Sequence, residues 1–196
     1  MYLSFLYLLI CGLPGAFFLP VQKHISKSES IGPRSLIINE FICRGTNPEA
    51  AAFLGGSGAK WVELYNPTGQ DIELTAGKWF ITDTLAVPQK FAVPANPSGA
   101  QWKVPAGKYL VFMCPKKNMA GAPNRINTTF SLSHVKGDIG IYYQESPGSA
   151  LIAVDNMHYD FGPGGAADGM TYGHKPDGAG AATQALSKPT PEGPNM

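Results

Sequence analysis

The sequence predicts an all-β protein, and three observations lead there. First, 23 glycines and 17 prolines punctuate the 196 residues, and beyond residue 22 no stretch between successive Gly or Pro exceeds 13 residues. Repeated helices of ~11–12 residues find no room in such a chain. Second, the apolar runs are short, and the clearest alternate with period two, as half-buried strands do. Third, aromatic residues make up 11% of the chain against 15% charged. That is enough apolar bulk to exclude wholesale disorder.

Residues 1–22 form an apolar leader whose first charge is Lys23. A run of this kind is a secretory signal or a membrane span of about 20 residues. Pro14 and Gly15 interrupt it and favour a signal with its apolar part at Leu3–Gly12, although no Lys or Arg precedes that part. Leu8-Leu9-Ile10-Cys11-Gly12 also resembles a lipoprotein box, which makes Cys11 a lipidation candidate, with bulky Ile10 a departure from it. Cleaved signal, lipidated Cys11 and retained anchor all place the body outside the cytoplasm, secreted, periplasmic or held at the cell surface. Membrane contact is then expected through the leader alone.

A polar, Ser-rich tether covers 23–35, and the globular body covers 36–180. Its short strand-like runs, each fenced by turn residues, fit a β-sandwich of about nine to eleven strands. Ser35–Ile42 is the first. Lys60–Asn66 alternates, with Trp61, Glu63 and Tyr65 on one face and Val62 and Leu64 on the other. Asn66-Pro67-Thr68-Gly69 supplies turn chemistry. Strands follow at Asp71–Leu74, Lys78–Thr82, Lys90–Val93 and Gln101–Val104. Lys108–Cys114 is apolar on both alternating sets, which suits a central strand covered on both sides. Thr129–Leu132, Asp138–Tyr143, Leu151–Val154 and Met157–Phe161 close the dense region. The Pro/Gly-rich tail, 181–196, is expected to lie exposed.

Net charge is +1 for the whole chain. Nucleic-acid binding needs a basic face that displaces counterions from phosphates, and Lys116, Lys117 and Arg125 are too few to make one. No nucleic-acid partner is expected. With Cys11 set aside, Cys43 and Cys114 form an even pair and a disulfide candidate. Their bridge would close a loop of about 70 residues, worth on the order of 4 kcal/mol. The alternative is two buried thiols packed as small hydrophobes.

The order of motifs resembles the lamin tail domain family. Leu36–Phe41, a Gly-rich gap, and Trp61-Val62-Glu63-Leu64-Tyr65-Asn66-Pro67 look like its opening. Ile72–Leu74 through Trp79–Asp83 resembles its next strand pair, with Lys78 inserted between Gly77 and Trp79. Pro105-Ala106-Gly107 and the strand after it, then Phe130–Ser133 with Gly137-Asp138-Ile139, resemble later segments. Asp168–Gly178 and Pro189–Asn195 are similar to the closing segments of bacterial members, where Arg is usual at the position of His174. The resemblance makes Asn39, Glu40, Trp61, Glu63, Tyr65, Asn66, Trp79, Gly107 and Asp138 structural motif residues. It implies an immunoglobulin-like β-sandwich without catalytic residues. In bacteria such domains occur on exported proteins, often beside hydrolase or adhesion modules; with an apolar leader and no heptad rod ahead of it, a nuclear filament role does not carry over.

Candidate chemistry is sparse. Gly55-Gly56-Ser57-Gly58 lacks the spacing of a nucleophile elbow. Asp155, His158 and Asp160 are weak metal candidates: His158 and Asp160 share a strand face while Asp155 points away, and zinc wants three or four ligands. They define the alternative function, a metal-assisted hydrolase. Glu40 and Glu63 are paired carboxylates inside apolar strands. They either do glycosidase-type work or accept hydrogen bonds from loop amides or pair with Lys60 or Lys78, and the structural role is favoured. Trp102, outside the motif positions, is the best surface-binding candidate. The sequence therefore points to a non-catalytic, cofactor-free module at the cell envelope that meets a protein or glycan partner. A structural building block that lends its edge strand to other chains is the remaining reading.

Intact-mass analysis of the exported protein should show a chain shortened by the leader. A diacylglyceryl increment on a Cys11 N-terminus would mark a lipoprotein, and an unshortened chain in the membrane fraction a retained anchor.

Overall fold

The structure, a computed structural model, describes residues 35–45, 60–114, 125–178, 183–186 and 188–196. The leader with Cys11, and the tether up to residue 34, lie outside the described residues. Twelve strands are found among the described residues. β1 (Ile37–Ile42), β2 (Trp61–Tyr65), β3 (Ile72–Leu74) and β4 (Trp79–Thr82) come first. β5 (Phe91–Ala92), β6 (Trp102–Val104), β7 (Tyr109–Met113) and β8 (Ile126–Asn127) follow. β9 (Lys136–Gln144), β10 (Leu151–Asp160), β11 (Thr171–His174) and β12 (Thr183–Leu186) complete the order. Among the described residues no helix is long and apolar enough to cross a membrane.

A six-stranded sheet runs β12-β11-β1-β2-β7-β8, and a four-stranded sheet runs β10-β9-β4-β5; β3 pairs with β6. All pairs are antiparallel except β7 with β8. The protein is thus all-β, with the layered sheets of a β-sandwich. Ile38, Phe41, Val62, Leu64, Leu110 and Phe112 from the larger sheet share one core with Trp79, Ile81, Ile139, Ile141, Met157 and Tyr159 from the smaller. Phe41 meets Tyr159 at 5.0 Å between ring centroids, and Tyr172 meets Phe161 at 4.3 Å. Each such side chain contributes roughly 1.5–3 kcal/mol by leaving water.

The alternation expected of Lys60–Asn66 is present, since Val62 and Leu64 face the main core and Trp61 the opposite face. There Trp61, Ile42, Val111 and Met113 form a second buried cluster. β7 therefore has apolar residues on both sides because both faces of the central strands are covered.

Several expectations need correction. Thr129–Leu132 is not a strand; β8 lies just before it at Ile126–Asn127. The two runs in 151–161 are one strand, continuous through a bulge between Ala153 and Asp155. Trp102 is buried rather than a surface residue, only 7% exposed. β6 pairs with β3 so that Trp102 and Val104 face the core and Lys103 faces out, and the indole N–H donates to Pro94 O at 3.1 Å. The described part of the tail, 183–186 and 188–196, is not an exposed end: β12 adds a strand to β11, and Leu186, Thr190 and Asn195 are buried.

Cys43 and Cys114 are free thiols, both buried. The reason is strand order. Ile42 and Met113 both pair with Trp61, so the next residues, Cys43 and Cys114, flank Lys60 from opposite sides of β2. Two strand spacings amount to ~10 Å, beyond the ~4.4–6.8 Å that a disulfide spans between Cα atoms. Burial pushes the Cys43 thiol up to about 11 and the Cys114 thiol up to about 12. Both thiols should resist alkylation in the native protein and both should titrate after denaturation without reductant; a missing pair would contradict this arrangement.

Candidate functional site

Among the described residues, a layer of buried polar side chains is built around one extra residue. β1 pairs with β2 in register Ile38↔Leu64 and then Glu40↔Glu63, which leaves Asn39 as a bulge. A bulge turns two successive side chains to one side. Ile38 and Phe41 stay in the core, and Asn39 and Glu40 both go to the outer face, where Glu63 stands directly across from Glu40. All three are fully buried.

The C-terminal segment covers them. The Glu40 carboxyl accepts from Thr190 N at 3.2 Å and lies 2.9 Å from Thr190 Oγ1. Glu63 accepts from Glu192 N at 2.5 Å and from Asn39 Nδ2 at 3.1 Å. Asp177 Oδ1 accepts from Asn39 Nδ2 and from Asn195 N, and Asp177 Oδ2 from the Tyr109 hydroxyl at 2.7 Å. Asn195 Nδ2 donates to His174 O at 2.6 Å and Asn39 O at 3.3 Å. Gly173, across from Glu40, makes room for this: a Cβ there would sit 2.5 Å from Asn39 O and 3.0 Å from Asn195 Nδ2.

This layer has the protonation of an acid, not of an ion pair. Desolvation pushes Glu63 up to about 9, and the negative charges of Glu40 and Asp177 add to the effect. Desolvation also raises Glu40, against the hydrogen bonds it accepts. The Thr190 hydroxyl lies between Glu40 Oε2 and Asn195 Oδ1, the latter at 2.7 Å. The Asn195 amide nitrogen is committed to two carbonyls, so its oxygen takes the hydroxyl hydrogen. Glu40 Oε2 accepts from Thr190 N at 3.2 Å, and a hydrogen bond from the Thr171 side chain also works against the upward shift.

Of the two structural roles expected for the glutamates, the loop-amide role is the one present. Lys60 Nζ donates to Leu132 O, and Lys78 pairs with Glu145. Other motif residues hold turns. Asn66 donates to Gln70 O and Val104 O and accepts from Thr68, tying the turn after β2 to the one before β7. Gly107, at φ 65°, gives its N–H to Asn66 O in that second turn. Trp79 Nε1 donates to Glu73 O, Tyr65 stacks near Tyr109 at 5.1 Å, and Asp138 accepts from Leu85 N.

The metal candidates do not converge. Asp155 points between the sheets, where Oδ2 accepts Ile38 N at 2.8 Å. His158 and Asp160 lie on the exposed face, as expected, with His158 Nδ1 2.8 Å from Asp138 Oδ1 and Asp160 taking Gly162 N. Among the described residues no three His, Cys, Asp or Glu side chains form a metal-holding group.

Beside the acidic layer an open groove of about 420 Å³ is lined by Asn96, Gln101, Lys103, Lys108, Tyr109 and Glu192, with Trp102 in its wall. Sequence reasoning missed Thr190 and Glu192 as partners of Glu40 and Glu63, and Asp177 and Asn195 as partners of Asn39. Their segments stood out only as motif-like closing stretches, and nothing local shows that they fold back over β1 and β2. Compared with family models, curated proteins and solved structures, the chain finds no match.

Glu63 keeps its proton in the folded protein up to about pH 9 but loses it near 4.5 when unfolded. Folding therefore takes up a proton between these values, and stability should fall as pH rises through that window, by about 1.4 kcal/mol per pH unit per proton. Glu63→Gln should flatten the slope in denaturant titrations at a series of pH values. Glu40→Ala, which strands the buried Thr190 N–H, should cost roughly 1–3 kcal/mol.

Proposed function

We propose that this chain is a non-catalytic β-sandwich module of the lamin-tail, immunoglobulin-like kind, exported to the cell envelope, where it holds a protein or glycan partner. One contrast carries the reading. The carboxyl pair with the chemistry for acid–base catalysis is sealed beneath residues 188–196, whereas the open groove offers amide, cationic and aromatic groups. Amides and ammonium groups orient a polar partner and an aromatic wall covers its apolar face, which is recognition without bond breaking. The turns around the groove are rigid, since Asn66 and Gly107 lock two of them together. Rigid walls lower the ordering cost of binding. The apolar leader supports export, and the motif order supports the class of module.

Calorimetric titration with soluble cell-wall glycan fragments tests the reading. Binding should occur without turnover, and Gln101→Ala with Lys108→Ala should weaken it about tenfold, the effect of losing one or two net hydrogen bonds. Release of cleaved product that depends on Glu40, Glu63 or His158 would contradict it.

A further inference from the structure

Residues 188–196 join the groove to the sealed carboxyl layer. Glu192 stands in both, giving its N–H to Glu63 while lining the groove. Three features show how the segment is held. It buries little apolar surface: Met196 is 63% exposed, and the buried members are Pro189, Thr190 and Asn195. Its attachments are hydrogen bonds from Thr190, Glu192 and Asn195 to Glu40, Glu63, Asp177 and main-chain carbonyls, with Glu192 Oε1 3.5 Å from Arg125 Nε. Glu192 is also the one non-glycine residue at positive φ, 63°, among the described residues, a conformation that L side chains rarely adopt. Polar attachment, backbone strain and little apolar burial describe a unit that opens below the global unfolding free energy.

We propose that residues 188–196 are a strap that leaves the folded sandwich as a unit when the glutamates beneath it ionise, opening one wall of the groove. The seat is geometric. Glu40 and Glu63 are direct cross-strand partners, and like charges placed so repel each other. The groups facing them are Asp177 from the β11–β12 connection, Tyr109 from β7, and Thr190, Glu192 and Asn195 from the strap itself. Tyr65 of β2 lies behind Tyr109, and His174 of β11 contributes its carbonyl. The charges acting on the pair are Asp177 and the two glutamates on each other, so each proton lost adds repulsion. Glu192 then withdraws from the groove. That consequence rests on the binding reading above, whereas the detachment does not.

A nitroxide on the half-buried position 191 (Pro191→Cys), in a Cys11→Ser background where Cys43 and Cys114 are buried, reports the strap directly. The label should be immobilised at neutral pH and become mobile by about pH 10, while the near-ultraviolet circular dichroism of buried Trp61 and Trp79 is unchanged. Glu63→Gln should keep it immobilised throughout. Glu192→Pro, which removes the N–H and cannot reach positive φ, should free it already at neutral pH with the core signal intact. Mobility at neutral pH without substitution, mobility that changes together with the tryptophan signal, or no release by about pH 10 would each overturn the strap. A strap that behaves as expected in a protein that binds no glycan fragment at either pH upholds this inference and removes the binding reading alone.

Discussion

One residue inserted into one strand governs the architecture around the acidic layer. Without the Asn39 bulge, period-two alternation from Ile38 would send Glu40 into the main core and Phe41 out of it. With it, Phe41 joins Tyr159 and Tyr172 between the sheets while Asn39, Glu40 and Glu63 share the outer face. The bulge thus lets a chain place two carboxyl groups inside a protein without placing them in its apolar core.

Burial then sets their chemistry. A pair of carboxylates facing each other out of water is costly to keep, so burial raises both acids toward the protonated, hydrogen-bonding form, Glu63 up to about 9. In that form they satisfy main-chain amides of a C-terminal segment that has little apolar surface of its own. The same logic keeps Asp155 from metal chemistry: its carboxylate caps the Ile38 N–H and so stitches β10 to β1 across the two sheets. Carboxylates here hold backbone.

The sequence was legible where the physics is local. Period-two patterns located Trp61–Tyr65, and the apolar run Tyr109–Met113 revealed a strand covered on both faces. Turn chemistry placed Asn66 and Gly107. Where the outcome depended on distant segments, local reading failed. Trp102 lies outside the motif positions, in a short segment fenced by Gly99 and Pro105, yet pairing with β3 turns it inward. Cys43 and Cys114 looked like a pair until strand order put β2 between them. The tail looked open because it is polar and Pro-rich, and its partners, Glu40 and Glu63, are some 130–150 positions earlier in the chain. Nothing in either stretch alone predicts their meeting.

The acidic layer depends on a buried Glu63 that keeps its proton at neutral pH. Carbon-13 NMR of the side-chain carboxyl groups, with Glu40 and Glu63 assigned by substitution, reads that state directly. The Glu63 signal should hold the shift of the protonated acid at neutral pH and move only near pH 9, and the Glu40 signal should titrate above 4.5. Two carboxyl groups titrating near 4.5, as free glutamates do, would contradict it.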